Sequence, residues 1–412
     1  MRARLRTVIF GLLLLGLVWL GLGQGPAWAL TDEQNLVAEV WRIVNRSYLD
    51  DTFNHQNWWF TRQRVLKQSL NDRNNTYTAI QGMLATLEDP YTRLLRPEQY
   101  RSLQTSTAGE LTGVGLQISK GEQETFLQVI APIEGSPAEQ AGIQPKDRIL
   151  KIEGTDTTEL SLDEAANRMR GPAGTKVTLT LQRPQESSPF EVTLTRDRIT
   201  LNPVAADLRV TADGHKVGYL RLSQFNANAS SELASAIERL ETQGADAYIL
   251  DLRNNPGGLL QAGIEIARLW LDRGTIVYTV SRQGILDSFE AHGPALTQDP
   301  LVVLVNEGTA SASEILAGAL QDNGRAQLVG TVTFGKGLIQ SLFDLSDGAG
   351  LAVTVAKYET PDHHDINKLG ITPDRIVEGQ PLSREVFGTG NDPQYQAAMD
   401  LLDTPAVIAG VS

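Results

Sequence analysis

Apolar residues along residues 30–106 recur every three or four positions, which is the spacing that places them on one face of a helix. A capping box of Thr31 and Gln34 marks the start of the first helix. The in-phase apolar positions are Leu36, Val37, Val40, Trp41, Val44 and Tyr48 in this helix and Ile80, Met83, Leu84 and Leu87 in a later one. The tryptophans expected to pack in this scaffold, rather than to contact a ligand, are Trp41, Trp58 and Trp59.

From residue 107 to residue 198 the pattern changes to short β-strands separated by Gly, Pro and Asp turns. The expected strands are 126–130, 148–152, 177–181 and 190–194. One helix lies between the second and third strands; the capping box of Ser161 and Glu164 opens it, and it ends near Gly171. This order of elements predicts a small half-open barrel.

From residue 199 to residue 412 apolar strands alternate with amphipathic helices, the pattern of a layered α/β fold. The expected strands are 217–222, 247–252, 301–305 and 338–343, and the expected helices are 231–242, 259–269 and 311–323. If strands 247–252 and 301–305 are neighbours, their carboxyl ends bring a glycine loop and a serine turn together, where active sites of α/β folds form. The whole chain is therefore predicted to be multidomain and α+β.

Residues 1–29 have the features of a secretory signal peptide: three arginines and no acid, an apolar run from Val8 to Leu22, and Ala-Trp-Ala at 27–29. A retained membrane anchor is the alternative, but the 15-residue apolar run is shorter than the roughly 20 residues that span a bilayer. We expect cleavage after Ala29 and export of the remaining 383 residues, which are long enough for two or three domains.

Charge narrows the range of partners. The formal net charge of −13 becomes −16 when the signal and its three arginines are removed. Nucleic acid and anionic lipid both require clustered Lys and Arg, so we expect neither as a partner, and membrane contact only through a substrate or an uncleaved signal. The chain has no cysteine, which excludes disulfides and thiolate chemistry. We expect no cofactor, and peptides or proteins as partners.

Ser311 is the first candidate catalytic residue. The sequence Ser-Ala-Ser-Glu at 311–314 is itself a capping box, so Ser311 is either a helix cap or a nucleophile at a helix start. As a nucleophile it would have the Ala312 N–H beside it, and the loop of Gly257 and Gly258 would supply a second oxyanion-hole donor. Each such donor is worth about 3 kcal/mol of transition-state stabilisation.

Lys336 is the second candidate. Residues 330–336 read Gly-x4-Gly-Lys, but Gly337 stands where a nucleotide-binding P-loop needs Ser or Thr, and a strand follows instead of a helix. We therefore expect no nucleotide. Lys336 is then either an ordinary surface lysine or a general base, whose pKa would fall from about 10.4 toward neutrality through burial.

Histidine and metal chemistry are weaker alternatives. The chain has five histidines, none in a strand-end context like that of Lys336. The pair His363 and His364 stands between two aspartates, but adjacent side chains diverge and converge poorly on one ion. We expect a polar loop there and no metal.

Gly-Val-Gly-Leu at 113–116, followed by residues 136–150, resembles a PDZ domain of the circularly permuted bacterial type. The resemblance implies that the peptide-binding residues are Gly113, Val114, Gly115 and Leu116. Their backbone N–H groups would converge on a terminal carboxylate, and the adjoining strand edge would accept the peptide. A purely structural module, or one that binds internal segments, is the alternative. Lys146 departs from the pattern, in which glycine is frequent at this position.

Three motifs in order resemble those of the carboxyl-terminal processing peptidases, or tail-specific proteases. They are Asp-Leu-Arg-Asn-Asn-Pro-Gly-Gly at 251–258, Gly-Thr-Ala-Ser-Ala-Ser-Glu at 308–314 and Thr-Phe-Gly-Lys-Gly at 333–337. The resemblance covers nearly the whole mature chain. It implies a helical region at 30–106, a PDZ-like domain at 107–198, and a crotonase-like layered core at 199–412 with serine endopeptidase activity.

The same resemblance implies a role for each matching residue. Ser311 would be the nucleophile and Lys336 the general base of a Ser/Lys dyad, with Gln340 orienting the base. The oxyanion-hole N–H groups would come from Gly257 and Ala312. Two further positions match less specifically, Asp322 as supporting structure and Arg170 as a link between the PDZ part and the core.

Residues 53–59 and 357–361 resemble the cyanobacterial and chloroplast branch of the family. That resemblance implies removal of the carboxyl-terminal extension of the photosystem II reaction-centre precursor in the thylakoid lumen. A general quality-control protease in a periplasm differs only in substrate. The rival from another class is a noncatalytic PDZ adaptor or chaperone, in which Ser311 is only a cap.

Overall fold

The computed structural model describes residues 30–120, 126–133, 135–184, 186, 188–211, 214–379 and 386–402. The predicted signal at residues 1–29 lies outside them. The chain forms two compact units, one with the described residues up to Leu95 and Leu342–Val353, the other with Arg96–Ser341 and the residues from Thr354 onward. Within the described ranges, no helix has both the length and the apolar character needed to cross a bilayer.

The helices are α1 Asp32–Ser47, α2 Trp58–Leu66, α3 Arg73–Ala85, α4 Pro97–Ala108, α5 Pro137–Gln140, α6 Leu162–Met169, α7 Ala229–Thr242, α8 Leu260–Trp270, α9 Ala312–Asp322 and α10 Pro393–Leu402. The strands are β1 Arg93–Leu95, β2 Glu110–Gly113, β3 Leu116–Ser119, β4 Leu127–Pro132, β5 Arg148–Ile152, β6 Thr155–Asp156, β7 Lys176–Gln182, β8 Phe190–Thr195, β9 Asp197–Thr200, β10 Val204–Val210, β11 Lys216–Leu222, β12 Ala247–Asp251, β13 Arg273–Ser281, β14 Gly284–His292, β15 Leu301–Val305, β16 Gln327–Gly330, β17 Leu338–Asp344, β18 Gly350–Glu359 and β19 Arg375–Ile376.

The first unit is built on α1, α2 and α3. The predicted capping box at Thr31 is confirmed, and the predicted apolar face of α1 is buried except for Trp41, which is partly buried. The indole N–H of Trp41 donates to the carbonyl of Trp58 at 2.8 Å, and Trp58 is buried. Trp59 is half exposed and packs edge to face on Phe60, so it does not belong to the core, and its expected role as a packing residue stays a prediction. Adjacent residues of a helix point about 100° apart, so Trp58 and Trp59 cannot both face the same core. The sequence alone does not indicate which of the two is buried.

Within the second unit, β3 to β8 form a sheet of order β3-β4-β5-β7-β8, with β6 beside β5. Its four predicted strands are confirmed, as is α6 with its capping box of Ser161 and Glu164. Alternate side chains of the sheet and α6 share one apolar core, which includes Ile149 and Leu179. Closure into a half-open barrel stays a prediction, because the pairings define the sheet order alone.

Lys146 has a φ of 73°, in the left-handed region where a side chain is strained. This explains why glycine is suited to the position. We expect Lys146→Gly to raise the free energy of unfolding by up to about 1 kcal/mol, since glycine adopts this conformation without steric cost and only its greater freedom in the unfolded chain opposes the gain. Denaturant unfolding of the two proteins measures the difference. Lys151→Gly, in the interior of β5, is the control and should lower stability.

The second unit also contains a layered α/β core. Its sheet has the order β10-β11-β12-β15-β16-β19, in which β11, β12, β15, β16 and β19 are parallel. One set of alternate strand residues packs on α7, α8 and α9, and the other set packs on α10. Both faces are therefore covered, which is why β12 and β15 are apolar at nearly every position. The predicted mixed helix and sheet class is confirmed.

Candidate active site

The carboxyl ends of β12 and β15 form the candidate site. The two strands are parallel neighbours, with Tyr248 opposite Leu301, so the predicted adjacency is confirmed. The loops that follow them are joined by hydrogen bonds: the Ala310 N–H donates to the carbonyl of Asn255 at 3.0 Å, and the Ser313 hydroxyl donates to the same oxygen at 3.0 Å. The glycine loop and the serine turn thus form one structure.

Ser311 directly precedes α9, with a φ of 60° and a ψ of −120°. A side chain in this region costs of order 1–3 kcal/mol, so the surrounding contacts must hold the turn in place. Gly257 packs against it. A Cβ at Gly257 would lie 2.6 Å from the carbonyl oxygen of Ala310 and 2.8 Å from the nitrogen of Ala312. Only glycine allows this approach, which brings Gly257 and Ala312 together at the serine.

The N–H of Gly257 already has an acceptor. It donates to the side-chain oxygen of Asn255 at 2.9 Å, and the Asn255 amide donates to the carbonyl of Leu222 at 2.8 Å. Asn255 is fully buried, so both bonds are protected from water. The Asn255 side chain therefore defines the turn that carries Gly257.

The carboxylate of Glu314 connects Ser311 to Lys336. One oxygen accepts the Ser311 N–H at 2.8 Å and the Lys336 N–H at 2.9 Å. The other accepts the Thr333 hydroxyl at 2.6 Å and the Gly335 N–H at 2.7 Å. Glu314 is fully buried, and four donors satisfy its charge. The lysine turn is thereby held against the first turn of α9.

Tyr358 on β18 is a second connection between the same two residues. Its hydroxyl lies 3.1 Å from the carbonyl oxygen of Ser311 and also contacts the carbonyl of Lys336. The side chain is buried. Sequence reasoning missed both connections. In the sequence, Glu314 stands out as the last residue of a capping box and of the motif at 308–314, and Tyr358 as part of the motif at 357–361, and neither pattern indicates these contacts.

The remaining predicted residues occupy separate places. Gln340 lies on β17, where its amide is 3.4 Å from the Thr354 hydroxyl. Asp322 ends α9 and accepts the Asp362 N–H at 3.1 Å, which is a structural contact. Arg170 follows α6 beside a groove of about 830 Å³ that also borders α4 and β2.

Gly337 explains why the P-loop pattern fails. A Cβ at this position would lie 2.7 Å from the nitrogen of Asn367, so a serine or threonine has no space. The strand β17 follows at once. Among the residues that the structure describes, no group of three or more His, Cys, Asp or Glu side chains is arranged to hold a metal ion.

A buried ionic network lies where β12 leads into the glycine loop. The Arg253 guanidinium donates to Asp251 at 2.6 Å and to Asp392 at 2.7 Å, and all three side chains are buried. Burial alone would lower the pKa of Arg253, but the hydrogen bonds that its guanidinium donates to Asp251 and Asp392 outweigh burial and raise this pKa. Burial works to raise the pKa of Asp392, yet Arg253 holds it below its usual value. Asp392 lies 139 positions from Arg253, and no motif suggested the pair.

The PDZ-like part presents the predicted peptide-binding loop at the start of β3. The carbonyl of Val114 accepts the Ala138 N–H at 2.9 Å, and the carbonyl of Gly115 accepts the Ile133 N–H at 2.8 Å. Gly115 has a φ of 77°, and a Cβ there would lie 2.2 Å from the Cβ of Ser136. Among the described strands, β3 pairs with β4 alone, so one of its edges is open.

An α/β core that presents a strained serine beside a lysine turn, together with a PDZ-like module, has the architecture of a serine peptidase. The model of peptidase family S41 matches residues 216–377, and a PDZ domain model matches residues 128–183. A carboxyl-terminal-processing protease of Synechocystis sp. is 62% identical over 98% of this chain and 95% of that protein. The chloroplastic carboxyl-terminal-processing peptidase 2 of Arabidopsis thaliana is 47% identical over 89% of this chain and 74% of that protein.

Among solved structures, a photosystem II D1 C-terminal processing protease is 42% identical, with a TM-score of 0.58 over 89% of this chain and 100% of that one. The chain belongs to peptidase family S41, among the carboxyl-terminal-processing proteases. The predicted family, its PDZ domain and its serine peptidase class are confirmed. The assignment of single residues to catalytic roles stays a prediction.

Proposed function

We propose that this chain is an endopeptidase that uses a Ser311/Lys336 dyad to remove carboxyl-terminal extensions from protein substrates. The observation that carries the proposal is the shared acceptor: the backbone N–H groups of Ser311 and Lys336 donate to the same oxygen of Glu314. A cap serine and an unrelated surface lysine have no need of a common buried anchor. The contact of Tyr358 with both carbonyls supports the same pairing.

In the proposed mechanism the neutral amine of Lys336 takes the proton of the Ser311 hydroxyl, and the serine oxygen attacks the scissile carbonyl. The Lys336 ammonium then returns a proton to the leaving amine. Water, deprotonated by the same lysine, then attacks the ester carbonyl; the bond from the carbonyl carbon to the Ser311 oxygen breaks, and the Lys336 ammonium returns its proton to that oxygen. Gln340 on β17 is proposed to orient the lysine side chain.

The oxyanion formed in this step is proposed to bind the N–H groups of Ala312 and Gly257. Ala312 is the first residue of α9, so its N–H also lies at the positive end of the helix dipole. The Gly257 N–H, bonded to Asn255 in this structure, must be shared with the oxyanion or turn toward it. Asp322 and Arg170 are proposed to support the structure and to take no part in proton transfer.

The PDZ-like domain is proposed to capture the substrate by its carboxyl terminus. The loop from Gly113 to Leu116 would bind the terminal carboxylate through backbone N–H groups, and the open edge of β3 would add the tail as a strand. We propose the domain limits 30–106, 107–198 and 199–412.

The proposed substrate is the photosystem II reaction-centre precursor, and the proposed site of action is the thylakoid lumen after export through the signal at 1–29. The solved relative is described as a photosystem II D1 C-terminal processing protease, and the Arabidopsis relative as chloroplastic. Both similarities extend over most of this chain.

A pair of tail peptides tests the proposal, one with a free carboxyl terminus and one amidated. We expect the free peptide to be cleaved, and the amidated one to show a KM about tenfold higher or more with a similar kcat, because the loop loses its charge-assisted bonds. Gly115→Ala, which closes the loop against Ser136, should abolish this difference. Equal KM values for wild type would contradict carboxylate capture. Binding without cleavage of either peptide would identify a noncatalytic adaptor.

A further inference from the structure

Helix α2 exposes two aromatic side chains that its own unit does not cover. Trp59 is 51% exposed and Phe60 is 59% exposed, whereas their neighbour Trp58 is 3% exposed. The rings of Trp59 and Phe60 meet edge to face with centroids 5.0 Å apart. A pair of adjacent, exposed aromatic rings presents a compact apolar surface, which in water has a free-energy cost.

The segment of chain that carries this pair is basic, although the chain as a whole is acidic. The chain has a formal net charge of −13, yet residues 52–71 contain no Asp or Glu. Arg64 and Lys67 in this segment are exposed. Arg64 follows Phe60 by one helical turn and Lys67 follows it by about two, so both cations lie on the aromatic face. We call this face, consisting of Trp59, Phe60, Arg64 and Lys67, the aromatic-basic face.

A groove of about 460 Å³ adjoins this face, between α2 and α3. Arg64 borders it, and no Asp or Glu lies among its lining residues, which include Gln68, Ser69 and Thr78. An anion that approaches the aromatic-basic face therefore meets cations, amides and hydroxyls.

We propose that the aromatic-basic face docks the protein on an anionic membrane surface. Tryptophan and phenylalanine are favourable at the boundary between headgroups and acyl chains, and arginine and lysine beside them attract lipid phosphates. This face presents apolar rings and charges of one sign only, on a helix that offers no strand edge for a peptide to pair with. That combination fits a lipid surface best.

The proposal differs from the expectation drawn from net charge. At physiological ionic strength a charge acts over about 8 Å, so a distant acid on the same protein has little effect at this face. Two aromatic side chains and two cations give weak, reversible binding. The protein would concentrate at the surface and still exchange with solution.

Sedimentation with lipid vesicles tests the proposal on the chain without residues 1–29, since their apolar run would itself bind lipid. We expect binding to vesicles with phosphatidylglycerol, weaker binding to pure phosphatidylcholine, and a loss on raising the salt concentration. Replacing both aromatics, Trp59→Ser with Phe60→Ser, should lower the vesicle partition coefficient about tenfold or more. Charge reversal by Arg64→Glu with Lys67→Glu should have a similar effect on anionic vesicles only.

The matched control is Ile285→Ser with Leu286→Ser, which removes two side chains that are 62% and 60% exposed on β14 of the other unit. It should leave vesicle binding unchanged. All variants should cleave a soluble tail peptide at the wild-type rate, which shows that they are folded. Absence of wild-type binding, or equal loss in the control, would overturn the proposal. The proposal would also be overturned if the variants slowed cleavage of a membrane-embedded substrate without changing vesicle binding. The face would then contact the substrate protein and not the lipid.

Discussion

Ser311→Ala is expected to abolish cleavage of a tail peptide, with kcat reduced about 10⁴-fold or more. The variant removes the only atom that forms the acyl bond, and nothing nearby in the proposed mechanism replaces it. Folding should be unaffected, because Glu314 holds this turn through the Ser311 backbone N–H, which alanine keeps. Initial-rate kinetics of wild type and variant with a tail peptide measure the effect. Equal thermal stability of the two proteins shows that the variant is folded.

Lys336→Ala belongs to the same prediction and should reduce kcat to a similar extent. Lys336→Arg should not restore activity, since a guanidinium stays protonated and cannot accept the serine proton. The double variant should be no less active than either single variant, because residues that act as one unit have non-additive effects. Retained activity in either single variant, or losses that add in the double variant, would contradict the dyad.

Local patterns predicted eight of the nineteen described strands and six of the ten described α-helices, since each such pattern depends on nearby residues. The capping boxes at Thr31 and Ser161 marked helix starts, and the alternation along residues 176–182 marked a strand. The predicted adjacency of the glycine loop and the serine turn is confirmed, because β12 and β15 are parallel neighbours. Active sites of α/β folds form where such strands end.

Contacts between distant residues could not be predicted in the same way. The ion pair of Arg253 and Asp392 joins positions 139 apart, and no periodicity connects them. The exposure of Trp59 depends on how α2 packs, which its own sequence does not contain. The role of Glu314 was hidden for a different reason. A capping glutamate needs only one donor, and the three further donors come from Thr333, Gly335 and Lys336.

Glu314→Ala is expected to have the second largest effect, lowering kcat about 100-fold or more with little change in KM. The substitution leaves three backbone N–H groups and the Thr333 hydroxyl without their acceptor in a buried site, and each unpaired group costs about 1–3 kcal/mol. The turn that carries Lys336 would then move relative to Ser311. Because the hydrogen-bond donors to Glu314 are Ser311, Thr333, Gly335 and Lys336, all in the α/β core, affinity for a tail peptide should not change.

Glu314→Gln separates positioning from simple loss of structure. A glutamine oxygen placed toward Ser311 and Lys336 still accepts both N–H groups, and the hydroxyl of Thr333 can reverse to accept from the amide nitrogen, but the Gly335 N–H loses its acceptor. Its kcat should therefore lie between those of wild type and Glu314→Ala. The matched control is Glu307→Ala. Glu307 is an exposed glutamate between β15 and α9 that accepts the Thr331 hydroxyl at 3.1 Å, and its substitution should be nearly neutral for kcat. Wild-type kcat in a folded Glu314→Ala protein would show that the buried carboxylate does not position the two residues.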